Sequence, residues 1–166
     1  TVDYSRKVME EYKDFVLPFI SPLAPFLDPG SYAFEKPEEC GYRVLYRSVE
    51  DHRKALLSPN WKYFLNYETI WMTREEIVRS TYEAALRMNR AKMENGIIPK
   101  KKGLEIEGNI KKAYEVYNRI ERALEKGNTE EIKFLEGKVE EYNMNTICSK
   151  DEWKWPAKFL RMNFIN

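Results

Sequence analysis

The chain has 166 residues, 43% hydrophobic and 14% aromatic, which is ample for one domain, or one compact domain with a helical extension, and excludes wholesale disorder. Its 28 basic and 27 acidic residues leave a net charge of +1, excluding the electrostatic footprint of a dedicated DNA or RNA binder. No apolar run approaches the ~20 residues that span a bilayer and no signal peptide is visible, so a soluble, cytoplasmic protein without nucleic-acid or membrane partners is expected.

Residues 5–15 place Val8, Met9, Tyr12 and Phe15 on one helical face. Phe15 to Ile20 reads as an edge strand interrupted by Pro18. Ser21 to Ser31 (SPLAPFLDPGS) is neither a polar linker nor regular structure. Its prolines forbid a helix or central strand, yet Leu23, Phe26 and Leu27 are apolar, and Asp28-Pro29-Gly30 supplies turn chemistry. A stiff loop packed against an apolar surface is expected; it is either functional or a plug on a hydrophobic edge.

Gly41 to Arg47 (GYRVLYR) reads as a second strand, with Tyr42, Val44 and Tyr46 on one face and Arg43, Leu45 and Arg47 on the other. From there the chain reads as helices. Ser48-x-x-Asp51 caps one that carries His52, Leu56 and Leu57, and Ser58-Pro59 marks another start. Trp61 to Trp71 is dense in aromatics, which form core or line a flat ligand's pocket. Thr73-x-x-Glu76 is a capping box opening a long helix, with Ile77, Thr81, Ala84, Ala85 and Met88 inward and Gly96 near its end. Glu75, Glu76 and Glu83 suit the positive end of that helix.

Pro99 to Gly103 is the best internal boundary, with Lys100 to Lys102 as a solvated loop. Ile106, Ile110, Ala113, Tyr117, Ile120 and Leu124 then trace a stripe ending at Gly127, and Asn128-x-x-Glu131 caps a further helix with Ile132, Leu135 and Val139. The two helices form an antiparallel hairpin. Ser149-x-x-Glu152 opens a last short helix. The expected fold is mainly α, a bundle of helical hairpins with two short strands near the N-terminus. Residues 1–98 and 99–166 form two units or one compact body.

Cys40, Cys148 and the lone histidine, His52, cannot build a zinc or iron–sulfur site from this chain alone, so free buried thiols are expected. The absence of glutamine beside abundant Lys and Glu fits a thermophile. The chain opens on Thr1 and is expected to be a piece of something longer. The polar groups near the stiff loop are Ser21, Asp28, Ser31, Arg43, Arg47 and His52. Together they could bind a carboxylate or phosphate, and His52 could move a proton. No catalytic triad, Walker or Rossmann pattern is present.

APFLDPGS, GYR, HRKALL, NYET and MTREEIV give the stretch from about Val16 to Met93 its likeness. It resembles the C-terminal part of radical S-adenosylmethionine proteins that carry an N-terminal cobalamin-binding-type domain, in a branch whose substrates are not generally known. The resemblance implies [4Fe–4S], S-adenosylmethionine and possible cobalamin in a parent protein. The CxxxCxxC motif is missing here, so this chain holds no cofactor and is inactive alone. It would complete or cover the barrel, with Ser21 and Asp28 near its catalytic end. Its partners are the rest of that parent, or another protein, with homodimerisation through unpaired strand edges a further expectation. Two alternatives stay open: an independent helical interaction module built on residues 104–142, and a small standalone enzyme around Asp28, Arg47 and His52.

Overall fold

A computed structural model describes residues 2–12 and 27–146. The chain is mainly helical with one two-stranded antiparallel sheet, as its sequence pattern requires. The expected strand Phe15–Ile20, most of the proline-rich loop including Ser21, the helix at Ser149 and Cys148 lie outside the described residues.

Most of the helices start at side-chain caps, whereas the longest, behind Pro99, starts without one. Helix α1 (Val2–Tyr12) buries Val2 and Met9, which are two turns apart, while Tyr12 stands 48% exposed instead of joining the apolar face. The short α2 (Tyr32–Glu35) is capped by Ser31 and α3 (Val49–Leu56) by Ser48, each hydroxyl accepting a backbone N–H three residues on. Helix α4 (Arg74–Glu94) carries the complete capping box: Glu76 N–H donates to the Thr73 hydroxyl, and the Glu76 carboxylate accepts from Thr73 N–H at 2.8 Å. Helices α5 (Lys100–Glu125) and α6 (Thr129–Thr146) turn back on each other at Gly127, where Asn128 accepts from Glu131 N–H at 3.1 Å.

The sheet corrects the sequence reading. Strand β1 (Tyr42–Val44) pairs with β2 (Tyr67–Thr69), in the register Tyr42 with Thr69 and Val44 with Tyr67. The sequence assigned no strand to that aromatic segment, because three residues gain a ladder only from a partner 25 positions away. Ser58-Pro59 opens no α-helix; a single 3-10 turn, Trp61–Phe64, follows Asn60. Lys100 to Lys102 are exposed, but in the first turn of α5 and not in a loop. On α5, Tyr117, Ile120 and Ala123 are buried, whereas Ala113, expected inward, is exposed.

Two cores hold these elements. Val2 and Met9 of α1 meet Met88 and Ala91 of α4 at one end. At the other, Leu65, Tyr67, Val78 and Tyr117 join the sheet and the 3-10 turn to α4 and α5, with Leu27, Tyr42, Trp61, Ile77, Tyr82 and Tyr114 around them. Among the described residues no helix is long and apolar enough to cross a membrane.

Candidate functional site: a clamped loop beside an apolar cavity

The described end of the proline-rich loop is a built turn. Ser31 N–H donates to the Asp28 carbonyl at 3.0 Å and Gly30 has φ +84°. This is the turn that Pro at its first corner and Gly at its second demand. Immediately before it, Leu27 is gripped by Asn66, whose side chain has no exposure. Leu27 N–H donates to Asn66 Oδ1 at 2.7 Å, and Asn66 Nδ2 donates back to the Leu27 carbonyl at 3.0 Å. The amide thereby pairs with the loop backbone as a strand neighbour would, and the two bonds fix which end of it carries nitrogen.

That orientation decides the state of His52. The second Nδ2 proton of Asn66 points at His52 Nε2, 2.9 Å away, so Nε2 accepts. Nδ1 lies 2.8 Å from the Ser48 carbonyl, which can only accept, so Nδ1 carries the proton. Both ring nitrogens therefore serve the scaffold: one ties α3 to its own N-terminus, the other ties it to the loop clamp. A general base must offer a free lone pair to substrate, and here that lone pair faces Asn66. The geometry makes His52 a positioning residue.

The His52 ring packs edge-on against Tyr46, with centroids 5.0 Å apart. The Tyr46 hydroxyl donates to the Tyr63 carbonyl, and burial first of all holds the phenol above its ordinary pKa. Below these rings lies a cavity of about 230 Å³. Among the described residues its walls are Pro29 from the turn, Tyr46, Phe64 from the 3-10 turn, and Val49, His52, Ala55 and Leu56 along one face of α3. None of the residues of α3 is buried, and Val49 is 84% exposed at the rim.

The other sequence candidates among the described residues fall around this centre without converging. Ser31 caps α2, Asp28 is exposed at the turn, and Arg47 lays its guanidinium 4.8 Å above the Phe34 ring. Phe34 in turn lies 6.5 Å from His52. Arg43 is exposed on β1 and pairs across the sheet with Glu68. Cys40 is half-buried in a 3-10 turn (Glu38–Cys40). Among the described residues no group of three or more His, Cys, Asp or Glu is placed to hold a metal ion.

A second polar cluster escaped sequence reasoning. Lys62 sits between Glu75 of α4, at 3.1 Å, and Glu121 of α5, with its ammonium largely enclosed. Asn60, itself buried, donates to Glu121 at 2.9 Å, and Tyr117 donates its hydroxyl to Glu75 at 2.8 Å. Burial and then the Glu75 carboxylate push the Tyr117 phenol far above its ordinary range, so it stays protonated. The cleft over this cluster is lined by Lys62, Glu75, Asn118, Glu121, Arg122 and Glu125. Its groups satisfy one another, which is the signature of an internal brace.

No family model, curated protein or solved structure matches the chain.

Proposed function

We propose that this chain is the C-terminal, non-cluster-binding portion of a radical S-adenosylmethionine protein of the cobalamin-binding-domain type, where it completes or covers the active-site barrel. The observation that carries this reading is the rigid mounting of Leu27–Ser31. A turn held at Leu27, on both of that residue's backbone polar groups, by a buried amide and lying next to an open apolar cavity suits a wall prepared for contact. Helix α3 supports it: eight residues alone make a marginal helix, and this one leaves Val49, Leu56 and the following Leu57 exposed. Those side chains are suited to burial against neighbouring structure in a larger protein.

A [4Fe–4S] cluster is held by a set of cysteine thiolates. Cys40 and Cys148 are the chain's two cysteines, and they do not fit that demand, so no chemical step at a cluster is assigned to these residues. Cluster, S-adenosylmethionine and any cobalamin belong to the remainder of the parent in this reading.

The test is to sequence the coding region upstream of Thr1 and to assay iron and acid-labile sulfide in both products. A CxxxCxxC upstream, with iron and sulfide in the full product and neither in this chain, is expected. An upstream region without that motif, or an iron–sulfur chromophore in this chain, overturns the proposal.

A further inference from the structure

We infer that the cavity beneath the His52–Tyr46 pair is a binding site for a small apolar group, of the class of a benzyl, indolyl or branched alkyl moiety. Two independent features lead there: its size and the bonding of its polar-bearing walls.

Apolar cavities of about 150 Å³ stay dry and take benzene. This one, at about 230 Å³, has room for a single ring or a short branched chain. It falls short of the roughly 300–1,000 Å³ typical of whole drug-sized ligands. The occupant is therefore one moiety, whose remainder leaves through the mouth beside Val49.

The chemical selectivity follows from hydrogen bonding. Two of the wall residues, Tyr46 and His52, normally advertise polar recognition. Here the Tyr46 proton goes to the Tyr63 carbonyl, His52 Nδ1–H to the Ser48 carbonyl, and His52 Nε2 accepts from Asn66. What they turn to the cavity is ring surface, alongside Pro29, Ala55, Leu56 and Phe64. A ligand hydroxyl placed there would lose its water and meet an almost wholly apolar lining, and that loss disfavours it. One of these bonds, from Asn66 to His52, also ties the cavity wall to the loop clamp. The cavity is argued from its own lining, and its probes test this chain alone, whether or not CxxxCxxC lies upstream.

Toluene and phenol, equal in ring size and different in one polar group, are the probes. The full chain is titrated with each while ¹H–¹³C correlation spectra follow the methyls of Val49, Ala55 and Leu56. Toluene should give saturable shifts confined to these methyls, with phenol roughly tenfold weaker or more. Ala55→Phe, which fills the cavity from α3, should abolish the toluene shifts at unchanged far-UV circular dichroism. Absence of saturable shifts, equal binding of phenol, or unchanged toluene binding by a folded Ala55→Phe overturns the assignment. Should Ala55→Phe fail to fold, intermolecular NOEs in the unsubstituted chain decide. Cross-peaks from toluene to the Ala55 methyl and Phe64 ring uphold the site, and their absence rejects it.

Discussion

Asn66→Ala removes the clamp with the least collateral change. The side chain makes three hydrogen bonds, two to the Leu27 backbone and one to His52. At about 1 kcal/mol net each, their loss costs about 3 kcal/mol. Leu27 and His52 are half-buried, so water can reach part of what is vacated; without it the unsatisfied groups would cost more. For a chain of this size, that free energy lowers Tm by roughly 6–12 °C. Thermal and urea denaturation give the global number, and hydrogen exchange at the Leu27 amide gives the local one, since that N–H loses its acceptor. Asn66→Leu separates bonding from packing, because it fills a similar volume without hydrogen bonds. Both variants should lose stability and Leu27 protection together. A Tm drop below about 2 °C for Asn66→Ala, retained protection of Leu27, or recovery of stability in Asn66→Leu would refute the clamp as the element that orders the loop.

Three other perturbations test the frame around the site. Lys62→Met leaves the largely buried Glu121 with Asn60 but no cation. A loss of about 3 kcal/mol is expected in urea melts, and Lys62→Met/Glu121→Met should recover most of it; no recovery would mean the brace is not electrostatic. Gly103 lies on α5 where a Cβ would sit 2.1 Å from Met93 Sδ on α4. Gly103→Ala should therefore destabilise by about 1 kcal/mol, yet become stabilising in a Met93→Ala background, where only the helix-propensity gain remains; an unchanged sign refutes the close approach. Glu107 is held at about 2, below the usual 4.5, first by Arg90 and then by Lys111. Its contribution is complete above pH 4.5 and is lost as pH falls towards 2. The stability gap between the unsubstituted chain and Glu107→Gln should thus close over that window, measured by urea midpoints, and a constant gap would reject the pairing.

The parts legible in the sequence are those decided within one helical turn. Ser48, Thr73 and Asn128 announce helix starts because each cap is a bond to a residue three positions on. Asp28-Pro29-Gly30 announces its turn for the same reason of range. The α5 stripe is legible because one face must meet its neighbours at a fixed period, although Ala113 falls outside the contact it was expected to make. What was not legible depends on distant partners. Strand β2 exists through β1. Asn66 is an unremarkable residue in NYET until Leu27, 39 positions earlier, is laid against it. Glu75 suits a helix N-terminus by sequence alone, and its bonds to Tyr117 and Lys62 come from the fold.

The polar candidates near the loop were grouped by proximity in sequence, which is why the five among the described residues disperse in space. Arg43 serves the sheet, Arg47 the Phe34 ring, Ser31 a helix cap. His52 alone reaches the centre, and it arrives with both nitrogens committed to scaffold bonds. A histidine held this way contributes shape: its ring closes one wall of the cavity and its Nε2 steadies Asn66, which steadies Leu27. Cavity wall and loop are thus joined through Asn66 by hydrogen bonds. An occupant pressing on the His52 ring acts one hydrogen bond from Asn66, and Asn66 one hydrogen bond from the loop that the proposed reading sets at an active site's edge. The prediction from that linkage is specific: toluene binding should raise hydrogen-exchange protection at the Leu27 amide in the unsubstituted chain. In Asn66→Ala, where the link is cut, it should not. Equal protection in both would show that cavity and loop are merely adjacent.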